Sequence, residues 1–526
     1  MEKKSYIVAV DVGSSEVVVA VGSYAEGGVI NIECVVAEPT EGVTAGLVDN
    51  NQMVASALIR ARQAAEQQVG VGITDAYVSI SGKFVRCARY TDHVFVEDVE
   101  NCIAQRDVNA LRERMENVKA ADGEVIMDFF PINYKSDMGV EMKNPVGSYS
   151  KQLSSTYNFI LCERSAKDRF RRVFLDAGIK IRGMYASAAV VAESVINSDE
   201  MQEGVAVVDI GSGVTDVAIY YGGVLNYIAS IPIGGLAINN DIRHFNGYIP
   251  AKTVENLKKR YGSAVVSLTP DELIQVRKGS RAIKPIPRLN LAAVIEARMT
   301  DIAEYVWNEI REAGFAKKLS AGIVLTGGVA DLKNVADLFN RVTGQETRVA
   351  CAEIGVATES LEKVSSPNFT LAVSMLLRGA KVGPCPVTVL HTPAQPVEPK
   401  PYTQPSAGAT MAGATASAGM ASAAGAGMAG AGMAAPSPAA QPRTINESFG
   451  SMTTDEATAQ VASQRVAAPS LTTPDVDGYD DDDDDDYNDD DVMGGGWFSG
   501  LKSKMARAFN DAFRNPEDGE DDGDDY

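Results

Sequence analysis

The sequence is poor in the residues that build covalent or metal frameworks. Its six cysteines, Cys34, Cys87, Cys102, Cys162, Cys351 and Cys385, stand singly, and there are three histidines. That pattern argues against a disulfide scaffold or a zinc site and suits a reducing cytoplasm. No stretch approaches the roughly 18 apolar residues of a transmembrane helix. The apolar run after the two N-terminal lysines is broken by Asp11, which does not fit a signal peptide. A membrane would therefore be met from its surface. Positive charge is not in excess either: the net charge is −22. A nucleic-acid partner needs a basic face, so none is expected.

What is present falls into three regimes, over a length suited to about two to four domains. Residues 1–381 alternate apolar runs with amphipathic stretches, as a mixed α/β body does. Residues 382–496 are prolines, then an Ala/Gly/Met/Ser tract, then aspartates, a composition expected to stay a disordered linker. Residues 497–514 regain helical periodicity, and an acidic tip, 515–526, closes the chain. Asp475 to Asp491 holds twelve acids and Glu517 to Asp525 seven, against a net of +3 for 497–514, so residues 1–474 carry only −6.

Within the body, the apolar strand Tyr6 to Val10 runs into Asp11-Val12-Gly13-Ser14-Ser15, and Glu16 to Gly22 resumes as a strand. The layout recurs some 200 residues on. Val205 to Asp209 leads into Asp209-Ile210-Gly211-Ser212-Gly213-Val214-Thr215-Asp216, and Val217 to Tyr221 follows. Two related halves with a cleft between them are the natural expectation. A third glycine turn, Thr326-Gly327-Gly328, follows another apolar strand, and Asp331 to Val342 reads as a helix.

Turns of this kind expose backbone N–H groups that converge on phosphate oxygens, and glycine lets a ligand approach closely. Hydroxyls at Ser14, Ser15 and Thr215 add donors. Asp11 and Asp209 would repel phosphate unless a cation lay between, which implies Mg²⁺ held largely through its waters. Any one such turn is also an ordinary tight turn. Three in this order point to a nucleotide.

The order resembles that of the actin, Hsp70 and sugar-kinase superfamily, whose two phosphate motifs and adenosine motif these turns match. The resemblance implies a bilobed actin-like fold that binds ATP through Asp11, Gly13, Ser14, Ser15, Asp209, Gly211, Gly213, Thr215, Gly327 and Gly328. It adds Glu255 and Lys258 at the ribose and base, and gives Asp209 a role in ordering water around Mg²⁺. At most weak ATPase activity is expected, since no dedicated catalytic base is assigned.

Further blocks resemble the FtsA family in particular. These are Lys143-Asn144-Pro145-Val146-Gly147, Ile231-Pro232-Ile233-Gly234-Gly235 and Asn240-Asp241-Ile242, although Asn239 and Asn240 stand where Thr or Ser is common. Residues 84–163 look inserted between 1–83 and 164–204 of the first lobe. Val99 to Met115 reads as a helix there, and Pro131 and Pro145 as turns. The bland alternative is a loop-rich decoration. By the resemblance, this is the relocated 1C subdomain, a contact for self-polymerisation and for other division proteins. The second lobe, 205–381, would capture the FtsZ C-terminal peptide near 243–300. Lys259, Arg277, Lys278, Arg281 and Lys284 suit an acidic peptide there, and equally suit plain solvated surface.

At about 100° per residue, Trp497, Phe498, Leu501, Met505 and Phe509 share one helical face, flanked by Lys502 and Lys504. Such a helix lies in a membrane interface or docks in a protein groove. The family favours the membrane, which would place a peripheral protein on the cytoplasmic face at the division site, anchoring FtsZ filaments during septum formation. Competing readings are a small-molecule kinase on the same fold and a PilM-like pilus-assembly protein. An Hsp70-type chaperone would need a β-rich domain that the linker does not supply.

Overall fold

The computed structural model describes residues 4–245, 249–278 and 282–389. The helix expected at 497–514, the acidic tip and all but the first residues of the linker expected at 382–496 lie outside them; those first residues are ordered, not linker, since Cys385 is buried and Val387–Val389 pair with Val71–Ile73. So does Arg281, and for Arg277, Lys278 and Lys284 only the backbone is described.

The chain opens with strands β1 (Tyr6–Val12), β2 (Glu16–Tyr24) and β3 (Ile30–Pro39), helix α1 (Asn51–Val69) and strand β4 (Asp75–Ile80). It then departs through β5 (Val85–Phe95), α2 (Gln105–Glu116), β6 (Glu124–Lys135), β7 (Glu141–Met142) and β8 (Gln152–Glu163). Helix α3 (Arg164–Asp176) and strand β9 (Lys180–Ala186) bring it back. The second half comprises β10 (Val205–Ile210), β11 (Thr215–Tyr221), β12 (Val224–Ile231), α4 (Gly235–Phe245), α5 (Ala251–Tyr261) and the hairpin β13 (Leu273–Lys278) and β14 (Ala282–Pro287). It ends with α6 (Arg288–Glu312), β15 (Ile323–Thr326), α7 (Val335–Thr343), β16 (Thr347–Val349) and α8 (Thr370–Val382).

The first sheet has the order β9-β4-β1-β2-β3 and the second β12-β11-β10-β15-β16. Each is an antiparallel three-strand meander extended by two parallel strands beside its first strand. The repeated strand–turn–strand device is thus part of a repeated sheet. Val17 to Val21 are all buried, because α1 and α8 cover β2 from its two faces. A strand covered on both faces reads as a continuous run of β-branched residues, not as an alternation. Strand β10 divides its residues with period two. Val205 and Val207 join the core that holds the first sheet, while Ala206, Val208 and Ile210 join the core beneath α6. Helix α6 feeds that second core with Leu291, Ile295, Met299, Ile302, Val306 and Ile310, spaced three or four apart as one helical face requires.

Residues 84–163 form their own four-stranded sheet, order β7-β6-β8-β5, with its own core around Leu111, Met115, Leu153 and Phe159. Several expectations are corrected here. The helix begins at Gln105, not Val99, because the Asp98 carboxylate accepts from the backbone N–H of Glu100 and Cys102 and Asn101 takes φ +59, which holds a turn instead. Pro131 lies inside β6, not at a turn. It sits opposite Tyr157, where the register shifts, and a bulge tolerates a missing N–H. Pro145 does open a turn, closed by Ser148 N–H to its carbonyl. In the second half, α7 starts at Val335 and not Asp331, after Asn334 at φ +61. Helix α8, expected within the second lobe, packs on β1, β2 and β4 of the first sheet, with Gly379 against the Tyr77 ring.

Candidate nucleotide cleft

A cavity of about 1040 Å³ opens where the two halves face each other. Its walls are the β1–β2 turn, the β10–β11 turn, the first residues of α4, one face of α5, Gly327-Gly328-Val329 and Pro367-Asn368. The two hairpin turns are built alike. Gly13 N–H donates to the Glu16 carbonyl at 2.9 Å, and Gly211 N–H to the Val214 carbonyl at 2.9 Å. The turns also meet: a Cβ added to Gly213 would lie 2.3 Å from Ser14 Oγ and 2.8 Å from Ser14 Cβ. Gly213 is therefore glycine because the opposite turn occupies the space a side chain would need.

The second turn is tied to the start of α4. Gly235 N–H donates to the Gly211 carbonyl at 3.0 Å and Leu236 N–H to that of Ser212 at 2.8 Å. The third glycine turn backs the acid of the second. Gly327 has φ +88, and a Cβ there would come within 2.2 Å of Asp209 Oδ1. Gly327 N–H reaches the Pro367 carbonyl at 3.2 Å, and Asn368 donates its side-chain amide to the Glu16 carboxylate. Segments far apart in sequence are thus fastened around one space.

Three carboxylates lie at its floor, Asp209 and Asp216 buried and Asp11 half-buried. Burial pushes Asp11 up to about 6, with Ser79 donating to its Oδ1 at 2.9 Å and opposing the rise, and Glu16 and Asp216 adding to it. Asp209 is raised well above the ordinary carboxylate range, first by burial and then by Asp216 and Asp11. Among the described residues no donor reaches its carboxylate. Asp216 is raised to about 6 by burial, against hydroxyl bonds from Ser230 and Ser81. Three acids that hinder one another's ionisation make a site that gains from a cation. Among the described residues no three ligand side chains stand close enough to hold a metal directly. The acids therefore fit Mg²⁺ reached through water, with ligand oxygens completing the shell.

On the opposite wall, Lys258 Nζ lies 2.9 Å from Glu255 Oε2, and Asn239 donates to that same oxygen at 2.7 Å. Burial lowers the Lys258 pKa against the pull of Glu255. Burial also works to raise Glu255, but Lys258, Asn239 and Lys259 outweigh it and hold the carboxyl low.

Of the residues singled out from the sequence, Asp11, Gly13, Ser14, Ser15, Asp209, Gly211, Gly213, Glu255, Lys258, Gly327 and Gly328 line this one cavity. Thr215 does not. It is fully buried, and its hydroxyl donates to the Ile233 carbonyl at 2.8 Å, so it is a structural tie and no donor to the cleft. Lys259 sits on the cavity rim, 3.5 Å from Glu255. The β13–β14 pairing sets Arg277 opposite Ile283 and Val276 opposite Lys284, which gathers Arg277, Lys278 and Lys284 toward the hairpin tip by backbone alone. Sequence reasoning missed Asp216, Ser79, Ser81 and Asn368. Asp216 left a signal, an acid in the second position of an otherwise apolar strand. The others left none.

The chain is similar to known proteins. A family model for "Cell division protein FtsA" matches residues 206–374. Curated cell division proteins FtsA are similar over most of the described body. That of Escherichia coli strain K12 is 29% identical over 385 residues, covering 72% of this chain and 90% of that protein. That of Neisseria meningitidis serogroup B is 28% identical, covering 72% and 92%, and that of Pseudomonas aeruginosa 27%, covering 71% and 89%. Among solved structures, a "PilM-PilN type IV pilus biogenesis complex" is 15% identical with TM-score 0.49, covering 71% of this chain and 98% of that one. The MreB5 protein of Spiroplasma citri bound to ADP is 14% identical with TM-score 0.40, covering 72% and 95%. With its duplicated sheets and the subdomain between them, the chain is similar to cell division proteins FtsA over about seven-tenths of its length and about nine-tenths of theirs.

Proposed function

We propose that this chain is a nucleotide-gated scaffold: it binds Mg·ATP in the cleft, polymerises, and anchors FtsZ filaments to the cytoplasmic face of the membrane. The observation that carries the reading is the pair of matched turns brought into contact over three carboxylates, two of them buried and one half-buried. Ser14, Ser15 and Gly213 offer backbone N–H groups and hydroxyls to phosphates, while Gly13 and Gly211 close the turns that present them and leave room for the ligand. Asp11 and Asp209 would hold Mg²⁺ through its waters, and the ion would supply charge neutralisation between carboxylates and phosphates. Glu255 and Lys258 face the ribose and base. Because both turns grip one ligand, its binding favours the closed cleft. Asp209, which no donor among the described residues reaches, would order a water, and turnover on this reading is slow.

The subdomain at 84–163 supplies the polymer and partner contact. Its far end exposes Phe95, Val99, Met138 and Tyr149. Bonds from Ser150 N–H to the Asn101 carbonyl and from Asp137 N–H to Ser150 Oγ hold these loops together. Second-lobe cations at Lys259, Arg277, Lys278, Arg281 and Lys284 take the acidic FtsZ peptide, and Trp497 to Phe509 enter the membrane interface. One helix binds reversibly, and a polymer multiplies it. Co-sedimentation with anionic vesicles tests the whole. Mg·ATP should increase the bound fraction, and Leu501→Glu should release the protein with or without nucleotide. Binding by Leu501→Glu equal to that of the parent would overturn the anchor.

A further inference from the structure

The Asp-rich run plays no part in the function above. Twelve acids lie between Asp475 and Asp491 on a chain whose first 474 residues carry only −6. Such a run needs either solvent or a basic counterpart, and helix α3 carries one, apart from the second-lobe cations assigned above to a partner peptide. Helix α3 buries Ala166, Phe170, Val173 and Phe174. At about 100° per residue, Arg164, Asp168, Arg171, Arg172 and Leu175 then fall on the outward side, with Arg169 and the half-buried Lys167 at its two borders. Leu175 is 68% exposed. Arg172 pairs with Asp176 at 2.9 Å, and Arg164 reaches only the Glu124 carbonyl, at 3.4 Å. Among the described residues no acid pairs with Lys167, Arg169 or Arg171. The acids on or beside the helix, Glu163, Asp168 and Asp176, leave the cations in the majority.

We propose that the outward face of α3 is a docking surface for this chain's own acidic segment, Asp475–Asp491. Charge complementarity selects the occupant, and the tether permits it. The last described strand, Val387–Val389, pairs with Val71–Ile73 directly after α1, and α3 packs against α1. Residues 390–474 separate Val389 from Asp475. A chain of that length spans about 50 Å at random-coil dimensions, which brings the acids to α3 at an effective concentration on the order of millimolar. The exposed Leu175 sits among the cations and gives the contact an apolar point that salt does not screen.

Zero-length carbodiimide cross-linking of the full chain, read by mass spectrometry, tests the proposal, because Lys167 is the one amine on α3. In dilute protein at low salt, Lys167 should be joined to peptides from 475–491, with a yield that does not change on dilution. The yield should fall several-fold in the triple variant R169Q/R171Q/R172Q and in about 0.5 M salt, where the Debye length is about 4 Å. Replacing Asp480 to Asp486 by Asn leaves the body untouched and should have the same effect, which guards against a misfolded triple variant. Cross-links spread evenly over exposed lysines, or concentrated at Lys252 and Lys259, would overturn the proposal. So would a yield that rises with protein concentration, since the contact would then join two chains. If the triple variant keeps its cross-link but loses affinity for phosphatidylserine vesicles, the face is a lipid contact and the proposal falls.

Discussion

Asp216 shows how one residue's burial sets a stability profile. Its folded pKa, about 6, lies above the unfolded value of 3.8. The folded state therefore holds the proton over that window, and stability is full below pH 4 and declines as the pH rises through 6. A shift of about two units corresponds to on the order of 3 kcal/mol. Both hydroxyls bond to Oδ1, which asparagine retains. Asp216→Asn without ligand should thus melt higher at pH 7 and nearly unchanged at pH 4, and equal melting shifts at both would refute the burial argument. Thr215 makes the reverse case. Thr215→Val should lower stability by about 1 kcal/mol through the lost bond to Ile233 and leave ATP affinity unchanged in calorimetry. A large loss of affinity would return the hydroxyl to the site. The sequence put Thr215 among the phosphate donors because the motif names residue types. Side-chain direction along a strand alternates, and only the pairing register shows which face each residue takes.

At the scale of elements, the two turns were legible because a glycine turn after an apolar strand needs few residues, and the sequence states it twice. Their contact was not legible, since nothing local says that Gly213 meets Ser14. Gly213→Ala should wedge the turns apart and weaken ATP binding by about tenfold, some 1.4 kcal/mol. Ser14→Gly removes both clashing atoms, so adding Gly213→Ala to the Ser14→Gly variant should cost little further affinity. Additive losses would mean the turns do not touch in solution. The helix starts at Gln105 and Val335 were misplaced for one physical reason. Asn101 and Asn334 take positive φ, which asparagine allows but does not announce. The inserted subdomain carries its own core, so its surface can be altered without touching the cleft. Val99→Asp with Met138→Asp should abolish polymers in electron micrographs while ATP affinity stays at the parent value. Intact filaments would remove the polymer contact from this end.

Across the whole molecule, two sheets of the same order meet over one cavity, and each half contributes acids and N–H donors that are useless alone. The α/β class and the bilobed plan could be read from the repeat, because a duplicated strand–turn–strand unit implies a duplicated sheet. The return of α8 to the first sheet could not, since a helix of nearly continuous apolar residues fits any core. The central claim is that the cleft holds nucleotide through a cation opposed to Asp11 and Asp209. Calorimetric titration of ATP, with and without magnesium, into the parent and into Asp11→Ala and Asp209→Ala tests it most directly. The parent should bind in a magnesium-dependent manner, and both variants, folded by circular dichroism, should lose that dependence together with most of the affinity. Unchanged magnesium-dependent affinity in both variants would contradict the account.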